Sequence, residues 1–199
     1  MSIIQAAEDF IREKLDKEVV EHSLRVRNYA VKLAEDENFS DRELIELAAL
    51  LHDIGYIKGH QYHERNAAPF VRQFLNQHGY DLTKTGIIVN CIMKHEPKSN
   101  PETPEEKIIW DADCLDRIGA LGIVRRIKKA IKYKLVPENE IMDKIKEKLD
   151  FDEKNLKTET GKKFSKEFID FQKKFFTELD KQMSIIDGNF DFLYKIMED

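Results

Sequence analysis

The sequence predicts an all-α helical bundle. Three observations carry this: apolar residues recur at a period near 3.6 in nearly every segment, capping signals open several of those segments, and no stretch reads as a strand. Ile4 to Lys17 places Ile4, Ala7, Phe10, Ile11 and Leu15 on one stripe, and Val19 to Ala34 repeats the pattern with Leu24, Val26, Ala30, Val31 and Leu33. Ser40 and Glu43 make a capping box for a third helix running to His52, with Gly55 suited to the position past its end. Glu64 to His78 is predicted helical, tolerates Pro69 near its first turns and stops at Gly79; His78 reads as an ordinary histidine at a helix C-terminus. A further helix covers Thr83 to His95, and Pro97 to Pro104 is the clearest loop. Thr103, Pro104 and Glu106 supply cap, first-turn proline and box partner for one long helix carrying WDADCLDRIGALGIVRRIKKAIKYK. Pro137 opens a shorter helix to about Leu149, Asp150 to Lys163 reads as the flexible segment, and a last helix runs from near Gly161 to Gln182. Ile186 to Met197 adds at most a final turn or two.

The 199 residues fit one domain, with a core over 18–135 and C-terminal helices over 137–199 packing on it. A hydrophobic content of 41% is enough for a sizeable core, and a net charge of −5 argues against a nucleic-acid partner. Arg125, Arg126, Lys128, Lys129, Lys132 and Lys134 nevertheless form a basic block with no acid among them, read as a solvated helix face or as steering for a phosphorylated substrate. Cys91 and Cys114 match no zinc or redox spacing and fit a reducing cytosol. No apolar run reaches membrane-spanning length and the N-terminus does not read as a signal peptide, so the expectation is a cytoplasmic protein with no membrane partner.

His52 and Asp53 end the apolar run Leu47 to Leu51, where a carboxylate costs several kcal/mol unless something pairs with it. With His22 on the second helix and Asp113 in the long one, two imidazoles and two carboxylates form a set suited to an octahedral ion such as Mn²⁺, Fe²⁺, Co²⁺ or Ni²⁺. Spacing alone leaves the alternative open of a satisfied structural histidine beside an exposed aspartate.

HSLRV around His22, LAALLHDIG around His52 and Asp53, and DADCLDRIGALGIVR around Asp113 together resemble the HD-domain phosphohydrolase superfamily, in particular its small stand-alone bacterial and archaeal members. HERNAAPFVRQFL, IVNCIMKHE and LKTETGKKFSKEFIDFQKKFFTEL extend the resemblance over roughly residues 20 to 182. It implies an HD-type bundle holding a divalent metal (Mn, Fe, Co, Ni or Mg) on His22, His52, Asp53 and Asp113, between helices. Asp116 then reads as a group behind the ligands or facing substrate, and Asp111 as helical surface.

The implied chemistry is attack of a metal-activated water on phosphorus in a nucleotide or other small phosphate ester. His63, His60 and Glu64 follow the metal pair closely enough to serve as acid or base, with His63 favoured; Lys58 and Arg65 are the nearest candidate phosphate contacts. Two departures bear on substrate: relatives often carry an acid where Tyr56 stands and a basic residue where Cys114 stands. His63 and His95 occupy places where another branch builds a second metal site, although its Gly-Tyr-Pro signature is missing from KHEPKSNPETP. The competing readings are a di-iron HD-type oxygenase, which would need both His63 and His95, and a non-catalytic metal-stabilised module that senses a nucleotide. Oligomeric state, homodimer included, is left open by the sequence.

Overall fold

The computed structural model describes residues 1–59, 61–97, 99–137 and 140–187. Among them run nine α-helices and no strand: α1 (Ile3–Lys14), α2 (Lys17–Asp36), α3 (Arg42–Leu51), α4 (His63–Gln77), α5 (Leu82–Met93), α6 (Pro104–Arg117), α7 (Gly119–Tyr133), α8 (Ile141–Asn155) and α9 (Glu159–Met183). Short 3₁₀ turns cover Ile54–Lys58 and Ser184–Asp187, and the turns expected between Ile186 and Met197 lie almost wholly outside the described residues.

The apolar run predicted for the third helix makes α3 the centre of the core. Leu44, Ile45 and every residue from Leu47 to Leu51 are buried, as expected of a helix that is apolar nearly all round. α2, α1, α5 and α6 pack around it, each through its own apolar stripe. The cap of α3 is Asp41 rather than the expected Ser40: its carboxylate accepts from the Leu44 amide at 3.1 Å, and Lys84 pairs with it at 2.8 Å. The box opening α6 forms as the sequence predicts, with Thr103 and Glu106 capping each other's backbone and Pro104 in the first turn.

Four other expectations are corrected. The single long helix is two: Ile118 is extended (φ −110°, ψ 173°) and Gly119 takes φ +68°, so the chain turns between α6 and α7. A Cβ on Gly119 would also crowd Phe168 of α9. Asp111 is fully buried rather than on a helical surface, and the segment expected to be flexible is the one it pins. It accepts from the Lys157 amide at 2.8 Å and from the Thr158 amide and hydroxyl, both at 2.7 Å. Trp110 donates its indole N–H to the Asn155 carbonyl at 3.0 Å, so the link between α8 and α9 is fastened to α6 from two adjacent residues. Asp150 lies in α8, which starts at Ile141 rather than at Pro137, and α9 begins at Glu159.

Candidate metal centre

α2, the C-terminal end of α3, α4, the residue pair after α5 and α6 deliver six buried groups to one place: His22, His52, Asp53, His63, His95 and Asp113. His52 caps α3, and its Nδ1 donates to the Ala49 carbonyl at 2.7 Å. A carbonyl can only accept, so that nitrogen carries the proton and Nε2 presents a lone pair. The Nδ1 of His22 donates to Oδ2 of Asp116 at 2.7 Å, which turns its Nε2 toward the same point. The two Nε2 atoms stand 3.2 Å apart. Asp113 Oδ1 lies 3.3 Å from His22 Nε2, and Asp53 Oδ2 lies 3.5 Å from both imidazoles. Inward-facing nitrogens and carboxylate oxygens repel unless a cation, a proton or a metal ion, sits among them.

A second cluster shares Asp53. Its other oxygen, Oδ1, is 3.2 Å from His63 Nε2 and 3.8 Å from His95 Nε2, and those two nitrogens are 3.2 Å apart. His95, just past the end of α5, donates its Nδ1 proton to the Ile92 carbonyl, as His52 does at the end of α3. Glu96 closes this cluster at 3.0 Å from His63, and Glu64 stands on the outer side of the ring at 3.9 Å from Nδ1. Gly55 makes the second cluster possible: a Cβ there would lie 1.8 Å from the His63 carbonyl, so the start of α4 can press against the turn after Asp53 only over a glycine. Close approach, rather than the end of α3, is what this position requires.

The protonation pattern follows from these contacts. Burial drives His52 down to about 4, so it is a neutral donor. Burial alone would raise Asp53, but His52, His63 and His22 hold it below the usual carboxylate range. Burial would likewise lower His22 and His63; hydrogen bonds to Asp113 and Asp116 raise the first instead, and those to Asp53 and Glu96 push the second up to about 10. Both histidines thus sit in a field that favours positive charge, which a proton or a metal ion can supply.

The supporting shell includes groups that the sequence did not reveal. Asp116 is wholly buried, with Arg25 at 2.6 Å and Arg125 also on its carboxylate, and it braces His22 from behind. Arg117 donates to Asp113 Oδ2 at 2.8 Å, to Cys114 Sγ at 3.0 Å and to Asp152 at 3.2 Å. A positive charge beside Asp113 is thus supplied by Arg117, one turn after it on α6. Asp152 of α8 is buried between Arg117 and Arg126. The i, i+4 spacing of Asp113 and Arg117, and Glu96 beside His95, were local signals; Arg25 and Asp152 lie too far along the chain to be read.

Other expected residues are elsewhere. Arg65 is 70% exposed in its side chain, 5.5 Å from the Tyr62 ring, and Lys58 is exposed; both line a shallow groove with Asn66, Pro69, Phe70 and Gln73. His78 donates to the Phe74 carbonyl at the end of α4, as a structural histidine would. His60 lies outside the described residues. The basic block divides: Arg125 and Arg126 turn inward, Lys132 meets Asp16 and Glu18 at the surface, and Lys129 reaches Tyr56.

The all-helical fold thus gathers histidines and aspartates between its helices. The chain belongs to the HD domain family, whose model matches residues 19–118 and so spans every histidine and aspartate of both clusters. It is similar in structure to Bacillus subtilis YpgQ, solved in complex with ADP, at 26% identity and a TM-score of 0.77 over 90% of this chain and 94% of that one. It is also similar to the Lin1889 protein of Listeria innocua, at 26% identity and a TM-score of 0.75, covering 92% and 96% of the two chains. In sequence it is 32% identical over 104 residues to Ribonuclease Y of Petrotoga mobilis, covering 52% of this chain but 19% of that protein. An uncharacterized protein of Acanthamoeba polyphaga mimivirus is 30% identical over 132 residues, 58% of this chain and 54% of that one. The chain therefore spans from a fifth to about half the length of these two relatives. No described helix is long and apolar enough to cross a membrane.

Proposed function

We propose that this HD-domain protein is a divalent-metal-dependent phosphohydrolase acting on a nucleotide or another small phosphate ester, with His22, His52, Asp53 and Asp113 as the ligands. The observation that carries the reading is the convergence of two Nε2 atoms, each oriented by a hydrogen bond on its far side, on two buried carboxylates. Mixed nitrogen and oxygen donors suit Mn²⁺, Fe²⁺, Co²⁺ or Ni²⁺, with Mg²⁺ less well matched to imidazole. A divalent ion bound there supplies Lewis acidity toward a phosphoryl oxygen and lowers the pKa of a coordinated water. His63, hydrogen-bonded to Asp53 and Glu96, is placed to give a proton to a leaving oxygen, with Glu64 on the other side of the ring. The ADP complex of YpgQ supports a nucleotide as the class of substrate to try first.

A second reading has its own observation. His63, His95 and Asp53 with Glu96 could hold a second ion, and Asp53 would then bridge the two. A two-metal hydrolase and a di-iron oxygenase share that requirement, and oxygen uptake by iron-loaded protein separates them. The test of the main reading is release of phosphate or pyrophosphate from nucleotides and phosphomonoesters by metal-stripped protein resupplied with each ion. Asp53→Ala is expected to lose metal and at least about 100-fold of the activity, more than loss of an outer-shell partner costs. Full activity in that variant would contradict the mechanism.

A further inference from the structure

We propose that Lys129 anchors a phosphoryl group of the substrate beside the metal centre; the inference rests on the phosphohydrolase reading above. α7 turns three cations toward the HD core, and two of them are matched: Arg125 by Asp116 and Arg126 by Asp152. Lys129, one turn beyond Arg125, has no carboxylate within 4.0 Å among the described residues. Its ammonium instead donates to the Tyr56 hydroxyl at 3.1 Å and lies 5.3 Å from the centre of that ring. Tyr56 stacks on His63, with centroids 4.4 Å apart and planes 9° from parallel, and His63 Nε2 is 3.2 Å from Asp53. Two side chains, Tyr56 and His63, therefore stand between the Lys129 ammonium and the carboxylate that both clusters share.

The residue keeps solvent access, so an incoming anion can reach it. An ammonium is a compact point charge with three donors, well suited to a tetrahedral phosphoryl group that approaches from solvent. Arg65 and Lys58, the contacts expected from sequence, stand instead around the groove on the outer face of α4, where Arg65 faces Glu64 at 3.8 Å. The ligand class that fits Lys129 is the terminal phosphate of a nucleotide or the phosphate of a small monoester, held between the ammonium and the metal ligands.

The test is calorimetric titration of ADP and of inorganic phosphate into Mn²⁺-loaded protein, with metal content measured on each sample. Lys129→Ala is expected to weaken ADP binding by about tenfold or more, as loss of a charge-assisted phosphate contact should, while Mn²⁺ content stays at the wild-type level. Lys129→Arg should retain most of the affinity, and Lys128→Ala, on the same helix, should leave it unchanged. Equal affinity in Lys129→Ala, an equal loss in Lys128→Ala, or a loss of metal in Lys129→Ala would each overturn the assignment while leaving a hydrolytic wild type intact. A wild type that binds neither probe and hydrolyses no phosphate ester would overturn the underlying reading as well.

Discussion

His22 reaches the centre of the molecule with its outward nitrogen on Asp116, and Asp116 is itself neutralised by Arg25 and Arg125. Asp116→Asn keeps an oxygen that can accept from Nδ1 but removes the charge that makes the imidazole a strong donor. Metal affinity, measured by chelator competition, is expected to fall by about 10–100-fold, and an unchanged affinity would remove Asp116 from the supporting shell. At this scale the sequence was informative where residues carry local cues. His52 and Asp53 end a run too apolar to tolerate them alone, and Asp113 stands in an ordered motif. Asp111 shows the limit: a carboxylate two residues from a ligand gives no sign that the Lys157 and Thr158 amides will bury it. Arg25, 91 positions from its partner, gives none either.

Elements decide whether those residues meet. Gly55→Ala would drive a methyl into the first turn of α4, and the expected cost is about 1–3 kcal/mol in denaturant titration, with a selective loss of any second metal ion because His63 moves with α4. An unaltered unfolding midpoint would mean that the turn yields without strain. The break at Gly119 was hidden because the apolar period runs through it; only a positive φ, invisible in the pattern, sends α7 back along α9 and brings Arg125, Arg126 and Lys129 inward. α8 matters for a similar reason. Asp152 holds Arg117, which holds Asp113, so a helix beyond residues 19–118 braces a proposed metal ligand within them. Asp152→Asn is expected to weaken metal binding in the chelator assay by about tenfold, the lower end for an outer-shell partner, while helical content by circular dichroism stays unchanged. Wild-type affinity in this variant would cut α8 out of the account.

For the whole molecule, the consequence is that the proposed metal binding would be linked to folding. The six groups come from segments spread between His22 and Asp113, and they converge only in the folded chain. An ion present at about 100 times its Kd should therefore stabilise the fold by about 2.7 kcal/mol, visible as a rise in Tm. The sign of the pH dependence follows from the histidines. Hydrogen bonds to Asp113 and Asp116 raise His22, and those to Asp53 and Glu96 raise His63 to about 10, so a metal ion competes with protons at both clusters. Affinity at either cluster should rise with pH and fall by up to about tenfold per unit as protons compete below the folded value. Proton release in weakly buffered solution, on the order of one proton per ion, would check this. The helical bundle itself was legible from period and caps, because those are local; the pairing of the two clusters through one aspartate was not, because it depends on how far α4 approaches the end of α3.

The most direct test of the central claim, that these buried histidines and aspartates form a metal centre, is calorimetric titration of Mn²⁺ into metal-stripped wild type and Asp53→Ala, both checked for native helical content. The account predicts saturable binding of one or two ions per chain in the wild type and none in the folded variant. A folded wild type that takes up no ion, or an Asp53→Ala protein that binds as well as its parent, would contradict it.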